Sequence, residues 1–156
     1  MIEIPLTHGK FAVVDDDDSD LLHFRWHYSK YGYALRATKV KEKRTSKKVP
    51  MHRIILERKV GRPLLKSELT DHRDQNRLNN QRDNLRIATR AQNMWNSGKS
   101  ITGKNPYKGV SLHRGVWDAR IGFHGKMHHL GSYKTPEEAA HAVNDAATRF
   151  YGEYAP

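Results

Sequence analysis

Asp71 and His72 are adjacent, and Asn84 and Asn93 follow them in a stretch that also carries Arg86 and Arg90. A carboxylate beside an imidazole, with two amides downstream among arginines, holds the parts for hydrolysing a phosphodiester around one metal ion. His72, with an ordinary pKa near ~6.5, is mostly neutral at working pH and can take a proton from an attacking water. Asp71 and the amide oxygen of Asn93 suit a hard divalent cation, Mg2+ or Mn2+. That cation would neutralise charge on the leaving 3′ oxygen. Asn84, with one acceptor and two donors, is expected to tie a loop to the backbone and so fix the His72 ring. Arg86 and Arg90 match phosphate oxygens two at a time.

These residues need a frame. Leu69 to His72 reads as one strand and Asn84 to Ala88 as a second, with Thr89 capping a helix to Ser97 that leaves at Gly98. The predicted unit is therefore strand, loop, strand, helix. Ahead of it, Met51 to Glu57 is expected to be a short helix stopped by the turn at Gly61 and Pro63. His52 on that helix reads as structural or phosphate-facing. Residues 1–48 read as mostly β, with strands near 2–6 and 10–14 and a hairpin turning at Lys30, Tyr31 and Gly32. The aspartates at 15–18 and 20 are expected to sit at the positive end of a short helix. A calcium loop would need a glycine and a distal glutamate that this run lacks.

Residues 99–106 read as a Gly- and Ser-containing linker in which Lys99 and Lys104 can follow a phosphate backbone. Beyond it the pattern changes. Tyr107 to His113, Val116 to Gly122 and Lys126 to Tyr133 read as three antiparallel strands. Thr135, Pro136 and Glu138 then form a capping box. The helix it opens puts Ala139, Ala140, Val143, Ala146, Ala147 and Phe150 on one stripe, with Gly152 at its end. The expected class is α+β in four parts, 1–48, 49–98, 99–106 and 107–156.

Charge singles out a partner. The chain of 156 residues has a net charge of +11. Residues 1–38 hold 4 basic and 6 acidic side chains, 39–99 hold 17 and 6, and 100–156 hold 7 and 5. The excess surrounds the candidate site, where a polyanion would release counterions on docking. The absence of cysteine excludes disulfides, thiolate metal sites and thiol nucleophiles, and it fits a reducing cytoplasm. No apolar run is long enough to span a bilayer.

The order Asp71-His72, Asn84, Asn93 resembles the HNH nuclease family, in the branch where asparagine replaces the last histidine. The resemblance implies the same roles for those four residues. Residues 107–155 resemble the plant-type Apetala/ethylene-response-factor DNA-binding domain. The matches are Tyr107 to Val110, Trp117 to Ile121, Leu130 to Tyr133, Glu137 to Ala140, and Tyr151 with Gly152. That family reads the major groove with its sheet, which implies Lys108, Arg114, Trp117, Arg120 and Tyr133 as DNA-facing. Lys108, Arg120 and His129 depart from its usual residues, so no target sequence carries over. A nuclease followed by a DNA reader resembles phage and bacterial homing-type HNH endonucleases, as do the openings Ile4 to Lys10 and Val14 to Asp17.

Two functions follow. One is a site-specific, metal-dependent endonuclease on double-stranded DNA, a nicking monomer acting in the cytoplasm of a bacterial or phage-infected cell. The alternative is a DNA-binding regulator with an inactive nuclease core. The complete set Asp71, His72, Asn84 and Asn93 favours the enzyme. No exposed aromatic platform of the RNA-recognition type is evident in the sequence.

Overall fold

The computed structural model describes residues 1–39, 46–96 and 105–156. Lys99, Lys104 and most of the expected linker lie outside the described residues. The chain divides into two units, Met1–Asn93 and Met94–Pro156. Among the described residues the four sheets are small and antiparallel.

The first unit opens with a hairpin of β1 (Ile2–Pro5) and β2 (Phe11–Val14), with Ile2 opposite Val14 and Pro5 opposite Phe11. Strand alternation sends Ile4, Ala12 and Val14 into the core. A 3-10 helix over Asp16–His23 follows. The second sheet runs in the order β3 (His27–Tyr28), β4 (Ala34–Lys39) and β5 (Ser46–Pro50). β5 goes beyond the strands expected from sequence. It is an edge strand, where the exposed Lys47 and Lys48 are tolerated and discourage pairing with another chain. Helix α1 (Met51–Val60) buries Met51, Ile55 and Leu56 on one side and ends at Gly61, whose φ of 71° few other residues would adopt. β6 (Leu69–His72) pairs with β7 (Leu85–Ala88), and α2 (Arg90–Asn96) follows. Ile4, Val14, Trp26, Met51, Ile55 and Leu85 belong to a single core cluster.

The aspartate run does not cap its helix. Asp15, at the N-cap, makes no capping hydrogen bond. It instead accepts from the backbone N–H of Arg82 at 2.7 Å and from Nε2 of Gln81 at 3.1 Å. Asp18 is fully buried and receives Arg58 at 2.9 Å and Arg82 at 2.8 Å. Contacts distant in sequence outcompete the local cap because two guanidiniums solvate a buried carboxylate better than a helix end does.

In the second unit the sheet order is β10 (Lys126–Tyr133), β9 (Val116–Phe123), β8 (Val110–His113), with α3 (Pro136–Tyr151) packed on it. The capping box forms as the sequence predicts, with Thr135 and Glu138 satisfying each other's backbone N–H groups. Ala139, Ala140, Val143, Ala146 and Ala147 are buried, and these small residues let the helix lie close to the sheet. Gly109 is required by that closeness. It has φ of 76°, its carbonyl accepts from Arg120 N–H at 2.8 Å, and a Cβ there would strike the Arg120 carbonyl.

Burial alone would raise the Asp18 pKa, but the hydrogen bonds from Arg82 and Arg58 outweigh it and hold the carboxyl below its usual 3.8. A depressed folded-state pKa contributes stability above the unfolded value and loses it as pH falls through the folded value. Asp18→Asn should therefore destabilise the protein by about 1–3 kcal/mol at neutral pH. The gap to wild type should close progressively below pH 3.8. Urea unfolding of both proteins across that range measures it.

Candidate active site

The site grows from the end of β6. Pairing places Asp71 opposite Arg86 and His72 opposite Leu85. Residues directly opposite share a face, so the Arg86 guanidinium reaches Asp71 and donates to Oδ2 at 2.7 Å. Both side chains are nearly inaccessible, 4% exposed for Asp71 and 6% for Arg86. Arg86 thus balances a buried carboxylate instead of standing on the open surface as a phosphate clamp. Removing either charge would strand the other in a poorly solvated site.

His72 is also buried, and burial lowers its pKa against the opposing pull of Asn80, Asp74 and Asp71. The imidazole therefore stays neutral, the form a proton acceptor needs. Its Nε2 lies 3.4 Å from the amide oxygen of Asn80. The Asn80 amide nitrogen donates to the Leu78 carbonyl at 3.1 Å, so its oxygen is turned to His72. An amide oxygen beside Nε2 favours the tautomer that carries the ring proton there.

Asn80 is the residue that sequence reasoning missed. It sits one place after another asparagine in a polar loop, and only its own backbone pairing reveals its task. Its N–H donates to the Val13 carbonyl at 2.8 Å, and Val13 N–H donates to Leu78 at 2.8 Å. The loop between β6 and β7 is thereby laid along β2. Asn84 bonds within the same loop, to Asp74 and the backbone and not to the His72 ring. Its Nδ2 donates to Asp74 Oδ1 at 2.9 Å and to the Asn79 carbonyl at 2.8 Å, and its Oδ1 accepts from Asp74 N–H at 3.1 Å.

Two rings wall His72. The His52 ring stands edge-on to it at 5.3 Å between centroids, and Tyr33 lies at 6.1 Å. Tyr33 also meets His52 edge-on at 4.9 Å, and the Arg77 guanidinium covers Tyr33. Burial pushes the His52 pKa down to about 3, so it too is neutral. Its position on α1 gave no sign of this contact, because α1 and β6 meet only in the fold.

Thr89 and Gln92 cap α2 reciprocally, Gln92 Oε1 accepting from Thr89 N–H at 2.8 Å. Arg90 is exposed at the start of this helix, open to a phosphate. Asn93 is half-buried one turn later, its N–H bonded to the Thr89 carbonyl. Its side chain makes no hydrogen bond among the described residues. A carboxylate and an amide oxygen are hard donors of the kind that suit a divalent cation, although among the described residues no three His, Cys, Asp or Glu side chains gather as a metal cluster.

In the second unit the five expected DNA-facing residues separate. Arg114 is exposed in the turn between β8 and β9 with φ of 50°, and Arg120 is half-exposed on β9. Trp117 and Tyr133, in contrast, are half-buried against the core cluster beneath α3. They lie opposite each other in the β9–β10 register, on the face away from Arg120, because strand neighbours alternate sides. Lys108 donates to the carbonyls of Met94 and Trp95 at 3.0 and 3.1 Å, which makes it a cap for the last turn of α2. Trp95 stacks on Tyr151 at 4.8 Å.

Different stretches of the chain resemble known proteins. Residues 49–95 match the model of an HNH endonuclease family. An uncharacterized HNH endonuclease of Acanthamoeba polyphaga mimivirus is 29% identical over 148 residues, 94% of this chain and 74% of that protein. Protein 3.8 of Escherichia phage T7 is 32% identical over 87 residues, 54% of this chain and 72% of that protein. An ethylene-responsive transcription factor of Arabidopsis thaliana is 46% identical over 54 residues, 32% of this chain and 13% of that protein.

Asn84→Ala removes three side-chain hydrogen bonds from the loop that carries Asp74 and Asn80. It should cost about 1–3 kcal/mol of stability and speed amide exchange selectively between Arg73 and Asn84. Hydrogen exchange resolved by residue tests this; uniform acceleration across the unit would refute a local role.

Proposed function

We propose, from the match of residues 49–95 to an HNH endonuclease family and the likeness to a viral HNH endonuclease, that the chain makes a metal-dependent, site-specific cut in double-stranded DNA. The observation that carries this reading is His72, buried, neutral and held by Asn80 through Nε2 beside Asp71. Its remaining ring nitrogen accepts a proton from water as that water attacks phosphorus. Asn84 and Asn80 keep the ring in place through the loop, and the walls of His52 and Tyr33 limit its rotation. Arg86 holds the Asp71 carboxylate in place, while Arg90 supplies a phosphate contact. Asp71 and Asn93 would hold Mg2+ or Mn2+, which supplies charge neutralisation at the departing 3′ oxygen.

One such site per chain supports nicking by a monomer, in the manner of a homing-type enzyme. Groups that touch only phosphate and sugar carry little sequence information. The C-terminal sheet, with Arg114 and Arg120 on its accessible side, supplies base contacts in this reading. No helix among the described residues is long and apolar enough to cross a membrane.

Purified protein should nick supercoiled DNA with Mg2+ and stop when EDTA is added. His72→Ala should lower cleavage by roughly 10²-fold or more while DNA affinity is kept. Wild-type cutting by that variant would remove His72 as the base. Asp71→Ala and Asn93→Ala should each raise the metal concentration needed for half-maximal cleavage. An unchanged metal titration for Asn93→Ala would place the second ligand elsewhere.

A further inference from the structure

The face of the C-terminal sheet turned away from α3 holds a carboxylate where solvent exposure would be ordinary. Along β9, Trp117 and Ala119 pack toward the helix, so Asp118 and Arg120 project from the other side. Register sets Ser132 opposite Asp118 and His129 opposite Arg120. The result is a four-residue polar cluster. Ser132 donates its hydroxyl to Asp118 Oδ1 at 2.6 Å, Arg120 Nη2 donates to Oδ2 at 3.1 Å, and His129 Nε2 lies 3.6 Å from Oδ1. These neighbours cover Asp118 almost completely, to 5% exposure, and the Ser132 hydrogen bond leads in holding its pKa below the usual value. The carboxylate is therefore a fixed negative charge inside the cluster.

Arg120 remains 51% exposed, tethered through one terminal nitrogen. An arginine held at one edge by a fixed carboxylate presents its other edge in a set direction. That leaves less rotamer freedom to lose on binding. A guanidinium tethered through one nitrogen keeps further donors that can match the O6 and N7 acceptors of guanine in the major groove. Asp118 facing DNA uncompensated would repel it, but here its charge is balanced by Arg120. The occupant proposed for this face is duplex DNA, which the exposed Arg120 and Arg114 would meet in a segment, residues 100–156, of 7 basic and 5 acidic side chains.

We propose that Asp118 is a specificity-determining positioning residue that holds Arg120 to read a guanine, so that the recognised site contains a G·C pair beneath β9. This rests on the reading that the sheet contacts bases. Neither the cluster nor a base preference follows from cleavage chemistry, since the nuclease groups lie in the other unit.

Sequencing the cleavage sites of the full-length enzyme on a randomised duplex library reads every position at once. The wild-type sites should share one strongly preferred G, and Arg120→Ala should lose that preference. Asp118→Asn should relax the same position by about tenfold, the order of one good base contact, while preferences at other positions persist. Combined with Arg120→Ala it should add nothing there. A general folding defect would blur all positions alike, so the position-specific loss separates the two. If Asp118→Asn does not fold, Ser132→Ala, which frees the carboxylate, should produce a smaller loss at the same base. Loss of the G in Arg120→Ala but full retention in both Asp118→Asn and Ser132→Ala would leave the sheet as reader and overturn the role of Asp118. No change at any position in Arg120→Ala would overturn the sheet reading itself, and this inference with it.

Discussion

The backbone of β2 is the anchor on which the catalytic loop depends. Leu78 and Asn80 exchange hydrogen bonds with Val13, and Asp15 receives the N–H of Arg82 just beyond. Lys59 on α1 adds a third hold, donating to the carbonyls of Arg82 and Leu85 at 2.7 and 3.0 Å. A polar loop of this length gains little from burial and would otherwise be loose. Pinned at these points, it delivers the Asn80 amide to His72 from a backbone that cannot drift. The N-terminal hairpin therefore holds the loop that sets Asn80 beside His72.

Electrostatics in the site follow from burial. Asp71 is nearly inaccessible, and Arg86 across the ladder pairs with it. The same low accessibility lowers the pKa of His72 and of His52. Both rings therefore stay neutral within a strongly basic stretch of the chain. Asp18 repeats the principle farther out, where two arginines from separate elements converge on one buried carboxylate and tie the N-terminal segment to α1 and the loop.

The second unit divides labour between the faces of one sheet. Trp117, Leu130, Tyr133 and the small residues of α3 make the core, while Asp118, Arg120, His129 and Ser132 form a polar cluster on the other side. Aromatic residues that look suited to stacking on bases are instead committed to holding the helix. That assignment turns on strand parity alone.

Much of this was legible in the chain. The period-two pattern of the C-terminal strands, the Thr135–Glu138 box and the alanine stripe of α3 are local signals, and each element formed where its residues called for it. The adjacency of Asp71 and His72, and the Asn84 clamp on their loop, were likewise set by short-range spacing and hydrogen-bonding capacity. The sequence alone could not say that Asn80, rather than a neighbouring asparagine, meets His72. Nor could it say that Arg86 is spent on Asp71, that His52 walls the base, or that Asp15 and Asp18 bond arginines and a distant loop instead of a helix end. Each of those depends on which strand lies beside which, and on which groups burial leaves in need of a partner. Local chemistry determined the elements and the candidate groups; tertiary contact, through burial and the satisfaction of polar atoms, decided which of those groups act together.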